Sequence, residues 1–142
     1  MSALPTSLEL SVATPLGMQV SLGTDSVQVP SQAGELGILP GHLPLLAALK
    51  PGILTYNQGG AKVRAAIGGG FAEADGSHVR VITEFFQKSD DVSLEKAQAD
   101  LVAAEARIKG LKGTLDDIEH LEAQRSLDWA QARIELAKGS SN

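Results

Sequence analysis

Between Leu8 and Ala13 apolar and polar residues alternate, which places Leu8, Leu10 and Val12 on one face of an extended chain. The same period of two recurs in Met18–Leu22, Val27–Val29, Lys62–Ala65 and His78–Val81. Each of these segments is predicted to be a half-buried strand. The intervening Gly23-Thr24-Asp25, Asn57-Gln58-Gly59-Gly60 and Asp75-Gly76-Ser77 carry the residue types that accept positive φ in tight hairpins. Pro15, Pro30 and Pro51 are expected at strand edges or ends, where a missing N–H is least harmful. Short strands about ten residues apart predict an antiparallel sandwich or barrel.

After residue 87 the period changes. Leu94, Ala97, Leu101, Ala104, Ile108 and Leu111 recur at alternating spacings of three and four, a seam along one helix face. Ser93 is a suitable N-cap, and Glu95 stands in the first turn, where the helix dipole favours negative charge. Gly110 and Gly113 interrupt the pattern. Thr114 is then expected to cap a second helix with Asp116 and Asp117 in its first turn, and with Ala123, Leu127, Ala130, Ile134 and Ala137 as its seam. So short a connection makes the helices antiparallel neighbours. The predicted fold is α+β by segregation: an N-terminal antiparallel β-sandwich in residues 1–87, then an antiparallel α-helical hairpin in residues 88–142.

The hairpin seam is thin, because about half of its positions are alanine. A buried leucine contributes about 1.5–3 kcal/mol and an alanine only a fraction of that. Isolated helices of this length are marginal in water, so the hairpin is expected to need the sandwich or a partner for support.

Composition sharpens the division. All six prolines lie in residues 1–51 and twelve of the fifteen glycines in residues 1–86, whereas residues 87–142 hold 19 of the 29 charged side chains. With 17 acidic and 12 basic residues, the net charge of -5 argues against a broad basic face for nucleic acid or anionic lipid. The absence of cysteine excludes disulfides, thiolate-bound metal and a cysteine nucleophile. Met1–Leu10 has neither the basic-then-apolar pattern of a secretory signal nor the arginines of a transit peptide. The uncharged stretch Leu36–Leu49 is too short and too broken by Gly and Pro to span a bilayer.

Catalytic chemistry finds no purchase. The glycines around Gly41 are not followed by the Lys-Ser/Thr of a phosphate loop, and Gly68-Gly69-Gly70 leads into a predicted hairpin and not a helix. A bulge or a close backbone approach is the better account of the triple glycine. His42, His78 and His120 lack partners at metal-ligand spacing apart from the acidic helix surface, so no metal or other cofactor is expected. Asp90, Asp91, Asp116, Asp117, Glu119 and Glu122 gather near helix starts, where capping explains them. Trp129 is expected to be a packing anchor. A small hydrolase is disfavoured because no nucleophile–base pair can be named.

One stretch is more specific. Gly34-Glu-Leu-Gly-Ile-Leu-Pro-Gly-His-Leu-Pro-Leu-Leu-Ala-Ala-Leu-Lys-Pro-Gly52 closely resembles the signature of the epsilon subunits of F-type ATP synthases, called delta in mitochondria. The resemblance continues through Gly68–Ala74 and Val79–Thr83 into the alanine-rich tail, and so covers essentially the whole chain. It implies a ten-stranded sandwich followed by a helical hairpin.

The resemblance further implies a non-catalytic rotor subunit of the central stalk. The sandwich would bind the gamma subunit and rest on the c-ring, with Glu35, Gly37 and His42 as ring contacts. Membrane contact would come only through that ring, on the cytoplasmic face of a bacterial inner membrane or the matrix or stromal side of an organelle. The hairpin would either fold beside the sandwich or extend along gamma toward the alpha and beta subunits and inhibit ATP hydrolysis. Arg125, Arg133 and Lys138 are the second-helix cations available for that contact, and the two arginines, about two turns apart, are expected to share a side. Members that bind ATP carry Ile/Leu-Asp-x-x-Arg-Ala at the start of the first helix. Here Glu95 and Gln98 replace the aspartate and the arginine, so the guanidinium fork suited to phosphate is missing and nucleotide binding is expected to be weak or absent. The alternative reading is a free-standing β-sandwich adaptor that presents a coiled-coil arm to a protein partner.

Overall fold

The computed structural model describes residues 6–42, 44–114 and 117–139. Met1–Pro5, Leu43, Leu115, Asp116 and Ser140–Asn142 therefore lie outside the described residues, including the expected first-turn role of Asp116. Eight strands precede two helices: β1 (Leu8–Thr14), β2 (Gly17–Thr24), β3 (Val27–Ser31), β4 (Gly34–Ile38), β5 (Leu45–Gln58), β6 (Ala61–Ala74), β7 (His78–Thr83), β8 (Phe86–Lys88), α1 (Leu94–Gly110) and α2 (Ile118–Gly139). A short 3-10 turn, Ser89–Asp91, joins β8 to α1.

The strands pair in the order β2-β1-β7-β6-β5-β3-β4, with β8 added to β6. All neighbours are antiparallel except β1 and β7, which run parallel. The long β5–β6 ribbon serves both layers. Its Leu45–Leu49 and Gly70–Ala74 half continues into β7, while its other half continues into β3 on one side and β8 on the other. Counting the two halves of each long strand separately gives the ten segments that the family resemblance implies. Alternation in β1 works as read, with Leu8, Leu10 and Val12 packed against Val27, Val29, Ile38, Leu54, Tyr56 and Ile67.

Two expectations need correction. Gly23-Thr24-Asp25 is not a hairpin: Gly23 lies in β2 opposite Glu9, and the chain passes through Asp25 and Ser26 to β3, which pairs elsewhere. Pro30 and Pro51 sit inside β3 and β5 and not at their ends. The β3–β5 register breaks between Gln28 and Ser31, whereas the β5–β6 ladder keeps its register and lacks only the Lys50–Gly69 pair. At Pro30 the irregular pairing spares a ladder hydrogen bond that the residue cannot donate, while Pro51 stands beside the one missing pair of its ladder. The triple glycine marks a close backbone approach and not a bulge, since the β5–β6 and β6–β7 registers run through it without a shift. Gly69 and Gly70 have φ of 94° and 137°, and a Cβ on Gly70 would overlap the carbonyl of Ile82.

Ser93 caps α1, its side chain accepting from the Lys96 N–H at 3.2 Å. Thr114 does not cap α2 directly, since the helix begins at Ile118. The Asp117 carboxylate instead accepts from the Thr114 N–H and hydroxyl, both at 3.2 Å, closing the interhelical turn. Along the seam the alanines are buried: Ala97, Ala104, Ala123 and Ala130. A second face of α2 was not evident in the heptad pattern. Ala132 and Leu136 pack on Ile53 and Ala66 of the β5–β6 ribbon, with Val92 and Trp129 at the margin. That half of the ribbon is thus covered on both sides, by the core and by α2, and the hairpin lies folded against the sandwich.

Candidate interaction surfaces

The other half of the ribbon is bare on its outer side. Ala48 pairs with Phe71, Phe71 with Ile82, Ile82 with Ala13, and Ala13 with Met18. Directly opposed residues share a face, so these five form one apolar row across five strands. Met18, Phe71 and Ile82 are 62%, 56% and 64% exposed, and Leu46 on the same face of β5 is 71% exposed. Four of the row, Ala13, Ala48, Phe71 and Ile82, line an open cavity of about 650 Å³ that Gly70 and Arg125 of α2 also border. Contiguous exposed apolar surface of this kind marks a place where another chain docks. The signal available in sequence was Ile82, an apolar residue at an outward position of β7 where alternation calls for a polar one.

The signature stretch supplies a different surface. Gly34 and Ile38 bound β4, with exposed Glu35 opposite buried Pro30 and exposed Gly37 opposite Gln28. Glu35 rims a small cavity shared with Lys50 of β5 and with Asp128 and Glu135 of α2. The loop after β4 carries half-buried His42 and is tied to the β6–β7 turn, Gly41 N–H donating to the Gly76 carbonyl at 2.8 Å. In that turn the Asp75 carboxylate accepts from the N–H groups of Ser77 and His78 at 3.0 and 2.7 Å, and these bonds hold its pKa below the ordinary value. Arg80 bridges to Glu73 at 3.0 Å nearby. One end of the sandwich is therefore a well-tied pair of loops, with Leu39 60% exposed beside the polar groups, and Glu35 stands apart from it against α2.

The three α2 cations are not equivalent. Arg125 is exposed and rims the cavity beside Gly69 and Gly70. Lys138 is exposed in the last turn of α2. Arg133 is 6% exposed, lies 5.2 Å from the Trp129 ring centroid and pairs with Asp100 of α1 at 2.9 Å. Arg125 and Arg133 thus face different surroundings in the folded-down hairpin. Glu95 and Gln98 stand exposed on α1. Among the described residues no group of three or more His, Asp or Glu side chains is placed to hold a metal ion, and no helix is long and apolar enough to cross a membrane.

Residues 7–89 match the family described as ATP synthase, Delta/Epsilon chain, beta-sandwich domain. The ATP synthase epsilon chain of Synechococcus sp. (strain WH7803) is 38% identical over 132 residues, covering 93% of this chain and 97% of that one. The epsilon chain of Solibacter usitatus (strain Ellin6076) is 37% identical, covering 94% and 98%. In fold, the chain is similar to one in the Euglena gracilis mitochondrial ATP synthase assembly of OSCP, F1 and c-ring, with a TM-score of 0.78 at 21% identity over 99% of this chain and 84% of that chain. It is also similar to one in the central stalk and c-ring of the Tetrahymena thermophila mitochondrial enzyme, with a TM-score of 0.56 at 14% identity over 99% of this chain and 100% of that chain.

Proposed function

Because this chain belongs to the delta/epsilon family of ATP synthase subunits, we propose that it is a non-catalytic rotor element which docks on gamma with its sandwich, rests on the c-ring and brakes ATP hydrolysis with its hairpin. The observation that carries this reading is the bare row Ala48–Phe71–Ile82–Ala13–Met18, which the hairpin leaves uncovered although α2 covers the other half of the same ribbon. Burying even two large side chains of the row in a partner would contribute about 3 kcal/mol or more before the costs of association. Gamma is the occupant assigned to it.

The tied loops that carry His42 are assigned to the c-ring, with Glu35 and Gly37 of β4 as further contacts, because ring loops in water offer hydrogen-bonding groups and not apolar pockets. The bonds from Gly41 to Gly76 and within the Asp75 turn hold that end in shape, as transmission of torque requires. The hairpin is the regulatory part. Arg125 and Lys138 are accessible to acidic segments of alpha and beta while the hairpin is folded, and Arg133 becomes so on release. Nucleotide binding by the isolated subunit is weak or absent, given Glu95 and Gln98. The protein is peripheral, and any contact with the membrane runs through the ring.

The test is assembly of the whole complex with Phe71→Glu and Ile82→Glu, and separately with residues 88–142 removed. The charged row should abolish recovery of this chain with gamma. The deletion should keep that recovery while hydrolysis rises. Loss of gamma binding on deleting the hairpin would overturn the division of roles, and a chain recovered with a partner outside the synthase would favour the adaptor reading.

A further inference from the structure

Docking of the hairpin converges on one cluster that joins three elements. Phe85, between β7 and β8, stacks on Trp129 of α2 with ring centroids 5.2 Å apart and planes inclined by 25°. A Cβ on Gly68 would press into the Phe85 side chain, so the glycine is what lets this ring lie where it meets Trp129. One turn further along α2, the Arg133 guanidinium lies 5.2 Å from the Trp129 ring centroid. Its Nη2 donates to Asp100 Oδ2 of α1 at 2.9 Å, and its Nε donates to the Trp129 carbonyl at 3.4 Å.

We propose that Phe85, Trp129, Arg133 and Asp100 form a clamp that sets how much of the hairpin is docked and couples release from the sandwich to loosening of α1 from α2. The coupling follows from shared members. Trp129 is the partner of Phe85 on the sandwich and the platform under Arg133, while Arg133 is the partner of Asp100 on the other helix. When α2 leaves Phe85, the face of Trp129 is wetted and the shielding around Arg133 falls. A guanidinium–carboxylate pair is much weaker in water than when partly buried. The two contacts therefore weaken together. The closed clamp also sequesters Arg133, so that it cannot meet an outside carboxylate until the hairpin is released. This last consequence rests on the proposed regulatory role, whereas the clamp itself stands on the geometry.

Amide hydrogen exchange on the full-length isolated chain reads the clamp directly, because α2 amides report the docked-to-released ratio. Phe85→Ala and Arg133→Gln should each speed exchange in α2 about five- to tenfold, with β1 and β7 unchanged. Asp100→Asn should resemble Arg133→Gln, and exposed Lys109→Gln should do nothing. The double variant Phe85→Ala/Arg133→Gln should fall well short of the product of the single effects, since the two contacts are coupled. Unchanged α2 exchange in Phe85→Ala, an equal rise throughout the sandwich, or effects that simply multiply would each overturn the clamp.

In the assembled synthase the two variants should act in opposite directions. Phe85→Ala frees a hairpin that keeps its cation and should deepen inhibition, while Arg133→Gln frees one that lacks it and should relieve inhibition. Faster α2 exchange with hydrolysis unaltered by either variant would leave the clamp standing and remove the regulatory reading instead.

Discussion

The sandwich and the hairpin are each built around buried apolar residues, but of different kinds. The sandwich core holds Tyr56, Leu54, Ile67, Leu8 and Leu10, all 0–1% exposed, drawn from strands far apart in sequence. The interface of the hairpin with that sandwich holds Ile53, Ala66, Ala132 and Leu136, of which only Ile53 and Leu136 are large. Between the two helices the buried apolar positions are alanines, joined by the paired Arg133. A core of large side chains from many strands comes apart only as a whole. A docking face of one leucine, one isoleucine, two alanines and a clamp can let go while the rest stays folded. The rigid part is thus suited to carrying load, and the weakly held part to changing position.

The sharpest break of this contrast is Gly70→Ala. Its Cβ would have to displace the Ile82 carbonyl at φ 137°, so the variant should lose about 3 kcal/mol or more and melt as a whole, seen in thermal denaturation. Leu54→Ala and Leu136→Ala remove the same atoms from equally buried sites, each 0% exposed. The first should cost about 2–5 kcal/mol of global stability in a denaturant titration. The second should leave that transition nearly in place and appear as faster exchange in α2. If both lowered the global transition alike, hairpin and sandwich would be one cooperative unit.

Smaller effects sharpen the picture. Arg64 of β6 holds the end of α2, bonding the Gly139 carbonyl at 3.3 Å and Glu135 at 3.5 Å. Since Glu135 is largely exposed, Arg64→Ala should cost under about 1 kcal/mol of docking, and less at high salt. The smallest effect concerns pH. Backbone bonds lower the pKa of Asp75 below 3.8, so its contribution to the β6–β7 turn is complete above that value and is lost as pH falls through the lowered one. Asp75→Asn should remove this acid dependence, measured by NMR titration of the turn amides.

Much of this was legible before folding. The period of two in β1 and β7 placed Val12, Val79 and Val81 inside, and Gly59-Gly60 and Gly76 announced the two hairpins joining β5, β6 and β7. Pro15 falls at the end of β1 as expected, but Pro30 and Pro51 were misread as strand ends because sequence shows only that a donor is missing, not where a ladder leaves room for it. The bare row was hidden because its five members are separated by up to 69 positions and are aligned only by cross-strand register. Arg133 looked like one of three free cations, since nothing in the chain order reveals that Asp100 and Trp129 close around it.

The strand and helix periods, the change from one to the other after residue 87, and the family signature from Gly34 to Gly52 are all present in the sequence before any folding. These are local patterns, written in alternation, turn residues and capping. That α2 lies on the ribbon by Ala132 and Leu136, that Ala48, Phe71, Ile82, Ala13 and Met18 form one surface, and that Arg133 is sequestered all emerge with the packed fold. Each of those depends on distant residues meeting, and burial, register and ion pairing do not exist until they do.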